Sequence, residues 1–206
     1  MPTITRLQIQ TRRKNRVNVY LDDAFAFSVA VDLAAALRKG QSLSESEIAA
    51  LGAEDGYRQA LGRALAYLSH RSRTRAEIER KLAERGAAPD SIARVLDRLD
   101  ALGLLDDAGY AARFVEQRLQ SRPQGARGLR RALGQRGISP DVTAEVTAGI
   151  DDDALACRLA LDQAPRYAGC DRPTFERRLG GYLQRRGFGP TAVRAAVRAA
   201  WAARAR

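Results

Sequence analysis

From residue 57 onward, apolar positions recur every three or four residues, and polar corners interrupt them at nearly constant intervals. Leu61, Leu65 and Leu68 mark one helical face, Ile78 and Leu82 a second, and Ile92, Val95, Leu96 and Leu99 a third. The corner after the second helix recurs twice: Arg85-Gly86-Ala87-Ala88-Pro89, Arg136-Gly137-Ile138-Ser139-Pro140 and Arg186-Gly187-Phe188-Gly189-Pro190. Its glycines lie 51 and 50 positions apart, and Leu82, Leu133 and Leu183 precede them at one fixed offset. Glycine past an apolar run closes a helix in the left-handed conformation, and the arginine before it suits the negative end of the helix dipole. Proline three residues on opens the next helix, where its missing N–H is not needed. Ser139 is a strong N-cap for that helix, Gly189 a tolerable one and Ala88 a poor one. A further helix is expected before each pair, near 57–69, 108–120 and 153–164, with Tyr110 and Phe114 on the face of the second.

The first fifty residues follow another rule. Ile4-Thr5-Arg6-Leu7-Gln8-Ile9-Gln10 alternates apolar and polar, and so does Val17-Asn18-Val19-Tyr20 after the polar turn 12–16. That predicts a hairpin, with Asp22-Asp23 as a second turn and 24–29 as a third short strand. Residues 33–37 read as helical, ending near Gly40. Ser44 and Glu47 form a capping box before Ile48 and Leu51, and a boundary is expected near Gly52–Gly56.

The predicted fold class is therefore mainly α: an elongated tandem array of three three-helix, helix-turn-helix-like repeats, at 56–107, 108–150 and 151–206. A small β-hairpin module with short helices, at 1–55, precedes it. Thr74 with Glu77 is a second capping box, and Asp106-Asp107 and the acids 151–153 stand where they can cap the first helices of repeats two and three. Val193, Val197 and Trp201 close the third repeat. Units this small bury little alone, so neighbours are expected to share core.

Charge adds direction. The 206 residues carry a net charge of +11. Residues 1–56 hold 7 basic and 7 acidic side chains, 57–107 hold 10 and 8, 108–150 hold 7 and 3, and 151–206 hold 11 and 6. The excess lies in the array and grows toward the C-terminus, as suits a polyanion or an acidic protein surface. The preference for Arg and Ala is also what a GC-rich genome imposes whatever the function.

Other classes find little support. No apolar run is long enough to span a bilayer, and no signal peptide is recognisable. Cys157 and Cys170 stand 13 apart without a Cys-x-x-Cys, and His70, the only histidine, sits at a polar helix end. No phosphate loop or dinucleotide fingerprint occurs, and Gly187-Phe188-Gly189 is a helix–helix corner. The expectation is a cytoplasmic, reduced, monomeric protein that is not an enzyme and carries no metal or cofactor.

The candidate binding residues are arginines at helix corners. Arg71, Arg73 and Arg75 lie between the first two helices of repeat one; Arg122, Arg127, Arg130 and Arg131 surround the equivalent corner of repeat two. There the small residues Gly125, Ala126 and Gly128 can expose backbone N–H groups to a phosphate or carboxylate. Repeat three offers Arg172, Arg177, Arg178, Arg185 and Arg186, with Tyr182 either stacking on a base or packing in the core.

These residues carry a resemblance. Residues 66–78, Ala66-Tyr67-Leu68-Ser69-His70-Arg71 through Thr74-Arg75-Ala76-Glu77-Ile78, continuing to Lys81-Leu82 and Gly86, are similar to the first repeat of the RecX family. So is the exit Leu99-x-x-Leu102-Gly103-Leu104-Leu105-Asp106-Asp107-x-x-Tyr110-Ala111. Gly125-x-x-x-Leu129-x-x-x-Leu133-x-x-x-Gly137-Ile138 resembles the second repeat, and Arg178-Leu179 through Gly187-Phe188 the third. Val17-Asn18-Val19-Tyr20-Leu21-Asp22-Asp23-Ala24-Phe25 resembles the N-terminal extension of longer members. Departures are Ala88 at a cap position and a longer loop at 165–172. The resemblance implies a modulator of the recombinase RecA that binds its filament on single-stranded DNA, inhibits ATP hydrolysis, strand exchange and coprotease activity, and blocks filament growth. The partners it implies are the RecA filament and single-stranded DNA, with duplex DNA a weaker ligand. A direct DNA-binding transcriptional regulator is the alternative, although the third helix of repeat two carries acidic Asp141 and Glu145 where a reading helix would be basic. A metal-dependent nuclease is a more distant one.

Overall fold

In the computed structural model, which describes residues 1–204, the alternating N-terminal segments pair as expected. β1 (Ile4–Ile9), β2 (Arg16–Leu21) and β3 (Ala24–Ala30) form an antiparallel sheet in the order β1-β2-β3. Asp22 and Asp23 turn β2 into β3 with φ of 46° and 68°, a conformation that short polar side chains tolerate best after glycine. Ile4, Val17, Val19, Leu21 and Val29 point to one face. With Ala34 of α1 (Val31–Ala34), Leu37 and Leu43 they make a core, against which Ile48 and Leu51 pack.

The next helix departs from expectation. Segments predicted to be separated near Gly52–Gly56 are one helix, α2 (Glu45–His70), which is 26 residues long. Its start carries the expected capping box: Ser44 Oγ accepts from Glu47 N at 3.2 Å and Glu47 Oε2 from Ser44 N at 2.7 Å. Glycine inside a helix costs about 1 kcal/mol against alanine, and tertiary anchoring at the glycines offsets this. Buried Asp55 accepts from Arg16 at 2.9 Å, from Ala30 N at 2.9 Å and from Gln59 at 2.7 Å, tying α2 to the sheet. Burial alone would push the Asp55 carboxyl up; the Arg16, Ala30 and Gln59 hydrogen bonds outweigh it and hold the group below the ordinary carboxylate range.

The remaining helices come in threes. α3 (Arg75–Ala83) and α4 (Pro89–Ala101) complete the first set with α2. The second is α5 (Asp107–Ser121), α6 (Ala126–Gly134) and α7 (Pro140–Thr147). The third is α8 (Asp152–Gln163), α9 (Arg172–Arg185) and α10 (Pro190–Ala203), with a 3-10 turn at Ala164–Tyr167. The three repeated corners share one geometry. Gly86, Gly137 and Gly187 have φ of +75°, +77° and +80°. The next amide reaches back to the buried leucine each time: Ala87 to Leu82 O at 3.1 Å, Ile138 to Leu133 O at 3.2 Å and Phe188 to Leu183 O at 3.3 Å. This is the capping bond of a left-handed helix end. Ser139 caps α7 through Val142 N, whereas Ala88 and Gly189 supply no side-chain cap.

Two units divide the chain: residues 1–72 with 78–104, and residues 73–77 with 105–206. In the first, Ile78, Leu82, Ile92, Val95, Leu96 and Leu99 are buried. The second contains two separate apolar cores. One gathers Ala111, Val115, Leu129, Leu133 and Ile138; the other centres on Phe175, Leu179, Leu183, Phe188, Val193 and Val197, with Trp201 edge-on to Phe175 at 5.1 Å. Among the described residues the buried side chains of repeats two and three form separate clusters, not the shared core expected, and the two repeats meet through backbone and polar contacts.

Candidate cationic groove

The junction between repeats two and three is built from glycine. Gly125 N donates to Arg186 O at 3.0 Å and Gly128 N to Gly187 O at 3.2 Å. A Cβ on Gly125 would stand 2.8 Å from Phe188 Cα, and one on Gly128 would stand 3.0 Å from Arg186 O. The start of α6 thus lies against the corner that ends α9, at a separation only hydrogen side chains allow. The corner that ends α6 receives the start of α3 in the same way. Thr74 Oγ1 donates to Arg136 O at 2.7 Å, and Ala76 packs on Gly137.

A second element is common to both junctions. The acids that open α5 and α8 divide their work: Asp106 and Asp151 cap their own helices through Gly109 N and Ala154 N. Their neighbours reach the preceding repeat, Asp107 accepting from Arg75 N at 3.0 Å and Asp152 from Ala126 N at 2.8 Å. Each bond places a carboxylate at a helix start, where the dipole favours it. The series ends at repeat three. By the repeat spacing, the position matching Thr74 and Gly125 is Phe175, which is buried inside α9 because that helix begins a turn earlier, at Arg172. At the other end, Arg63 donates to Arg85 O at 3.3 Å, occupying the first corner's carbonyl.

Close approach of α6 and the α9 corner leaves a groove of about 800 Å³ beside the contact. Arg127, Arg131, Arg185 and Arg186 line it with Gln124, Gln135 and Gln184, over a floor that includes Gly128, Ala132 and Phe188; no carboxylate lines it. Arg127, Arg131 and Arg185 are exposed and have no ion-pair partner among the described residues. Arg186 is half-buried: its guanidinium donates to Pro123 O at 3.1 Å and lies 5.1 Å from the Tyr182 ring centre. Tyr182 itself packs on the third core. Four like charges facing one solvent-filled groove raise the local potential, which an anion with several charges relieves. Arginine forks and glutamine amides are the donors that phosphates and carboxylates accept from.

The other candidate arginines lie outside this groove. Arg130 turns to Thr147 Oγ1 at 2.7 Å. Arg122 is the exposed C-cap of α5. Arg177 and Arg178 are exposed on the earlier turns of α9, and Arg178 reaches Cys170 Sγ at 3.9 Å. Arg172 pairs with Glu176 at 2.8 Å. Arg71 ends α2 and donates to Ser72 O at 3.1 Å; Arg73 and Arg75 are half-buried at the start of α3. Sequence reasoning missed the three glutamines, and the amides of Gly125, Ala126 and Gly128, expected to face a ligand, instead donate within the protein to Arg186 O, Asp152 Oδ1 and Gly187 O. The signal was present in Gly125-x-x-Gly128, two glycines a helical turn apart at a helix start, where propensity alone disfavours them. Among the described residues no group of His, Cys, Asp and Glu is arranged to hold a metal ion, and no helix is long and apolar enough to cross a membrane.

Residues 2–44 match the pattern of the regulatory protein RecX N-terminal domain, 60–99 that of the RecX first three-helix domain and 106–146 that of the RecX second three-helix domain. Over 204 residues the chain is 34% identical to the regulatory protein RecX of Lacticaseibacillus paracasei, covering 96% of this chain and 84% of that one. It is 30% identical over 203 residues to the regulatory protein RecX of Bacillus subtilis, covering 96% and 76%. A crystal structure of regulatory protein RecX superposes with a TM-score of 0.69 at 30% identity, covering 93% of this chain and 97% of that one. The fold is also that of RecX from Lactobacillus salivarius, with a TM-score of 0.64 at 23% identity over 72% of this chain and 99% of that one.

Proposed function

Because the chain belongs to the RecX family of regulatory proteins, we propose that it regulates the recombinase RecA by binding the RecA filament on single-stranded DNA through the groove between α6 and α9. The observation that carries this reading is the convergence of Arg127, Arg131, Arg185 and Arg186 on one carboxylate-free groove. A filament repeats one protomer, and so one set of surfaces, at regular intervals. A chain of repeats that engages successive protomers gains affinity through effective concentration, even when each contact is weak.

The regulator does no chemistry of its own on this reading. Bridging neighbouring protomers opposes the movements that accompany ATP hydrolysis and strand exchange, and a bound terminal protomer cannot accept the next one. The three-helix sets α2–α4, α5–α7 and α8–α10 are the working modules, acting as a monomer in the cytoplasm. The direct test adds purified protein to RecA on single-stranded DNA and follows ATP hydrolysis and filament length. Both fall on this reading; an unchanged hydrolysis rate and unchanged length would refute it.

A further inference from the structure

The outer face of the N-terminal sheet plays no part in the groove, and it carries an exposed aromatic side chain, Phe25, among polar ones. Side chains alternate along β2, so Val17, Val19 and Leu21 enter the core while Asn18 and Tyr20 face outward. Strand register sets their neighbours: Tyr20 lies between Arg6 and Phe25, and Asn18 between Gln8 and Ser28. The first row is a cationic and aromatic cluster. The Arg6 guanidinium lies 3.8 Å from the Tyr20 ring centre, and Phe25 meets Tyr20 edge-on at 5.9 Å. Phe25 is 59% exposed, with no core contact to account for it. The second row is amide-rich, with Gln10 Nε2 donating to Asn18 Oδ1 at 2.7 Å. Beyond it the β1–β2 turn exposes Arg12, Arg13 and Lys14. The opposite end carries Asp22 and Asp23, of which Asp22 accepts from Thr3 N.

We propose that this face, Arg6, Tyr20 and Phe25 with the Arg12–Lys14 turn, is a second binding site, and that its ligand is single-stranded nucleic acid. Chemical complementarity supports this ligand. An exposed aromatic row takes the flat face of an unpaired base; Arg6, already over the Tyr20 ring, adds a cation to the stack; Gln8 and Asn18 offer donors and acceptors to a base edge. Arg12 lies six positions after Arg6, at most about 20 Å at ~3.3 Å per residue, enough for a few nucleotides whose phosphates the basic turn would neutralise. Asp22 and Asp23 repel phosphates at the far end, so the strand is held toward the turn. A protein-docking face would instead present contiguous apolar surface, whereas here Phe25 stands among amides and cations.

The test uses the full chain and two labelled 15-mers, oligo-dT and an abasic oligomer with the same phosphates. Stacking lost with Phe25→Ala should weaken oligo-dT binding by about fivefold or more and leave the abasic oligomer unaffected. Phe25→Trp should bind as tightly as the parent and gain an emission that oligo-dT quenches. Repeating both measurements in a chain carrying Arg127→Glu, Arg131→Glu and Arg185→Glu separates the sites, because groove charge reversal weakens both oligomers alike. The proposal is overturned if Phe25→Ala binds both oligomers as the parent does and Phe25→Trp is not quenched. It is equally overturned if Phe25→Ala impairs recombinase inhibition with oligo-dT binding intact, which would make the face a protein contact.

Discussion

Gly86 and Gly187 occupy the same place in their repeats but differ in what lies against them, which makes them a paired test of the junction. Both have strongly positive φ, so alanine at either costs about 1–2 kcal/mol of backbone strain. At Gly86 the new methyl enters open space. At Gly187 it would overlap Gly128 Cα and stand 2.6 Å from Gly128 N, both backbone atoms that no rotamer change can move. Repeats two and three must then part. The bonds from Gly125 N to Arg186 O and from Gly128 N to Gly187 O are lost, each worth about 0.5–1.5 kcal/mol. Gly187→Ala is therefore expected to cost roughly 1–3 kcal/mol more than Gly86→Ala. Thermal melting reads the totals, and amide hydrogen exchange localises the difference. Gly125 and Gly128 should exchange about tenfold faster or more in Gly187→Ala, at 1.4 kcal/mol per tenfold, and at the parent rate in Gly86→Ala. Equal destabilisation of the two variants, with both amides still protected, would refute the claim that glycine holds this junction shut.

Other consequences follow from the buried and junction acids. Asp55→Ala removes the carboxylate that neutralises Arg16 and accepts from Ala30 N–H, leaving the guanidinium only its bonds to Ser28, and should cost about 3 kcal/mol, read by denaturant unfolding of the sheet module. Since the folded Asp55 carboxyl titrates below its ordinary value, its stabilisation is complete above about pH 4 and fades as pH falls through the folded value. Asp55→Asn should flatten the melting temperature in that acid range, and an unchanged profile would remove Asp55 as the cause. Asp152→Ala removes the acceptor of Ala126 N and should cost about 1 kcal/mol, visible as faster exchange of the Ala126 amide.

The corners were legible because their grammar is local: glycine, proline and a leucine at fixed offsets dictate helix ends without reference to anything distant. The same holds for the Asp22-Asp23 turn. What escaped reading depends on contacts far apart in sequence. Gly52 and Gly56 look like a break until Asp55 is seen to accept hydrogen bonds from Arg16 and the backbone of Ala30, which keep α2 intact. Of the arginines that composition singled out, Arg127, Arg131, Arg185 and Arg186 share a groove only because Gly125 and Gly128 let α6 approach the last corner. Arg130, one residue from Arg131, points instead to Thr147, a difference of one helical step that charge counting cannot resolve. Asp107 and Asp152 read as spare caps, and only the tertiary structure reveals them as ties between repeats.

The groove itself is tested most directly by cosedimentation with RecA filaments on single-stranded DNA across a salt series. The parent chain should be compared with one carrying Arg127→Glu, Arg131→Glu and Arg185→Glu, and with an Arg177→Glu, Arg178→Glu chain whose changes lie on α9 outside the groove. The first variant should lose at least about tenfold in affinity at low salt and show a logarithmic salt slope smaller by about 2, and the second should bind nearly as the parent does. Parent-like binding by the groove variant at every salt concentration would contradict a role for the groove.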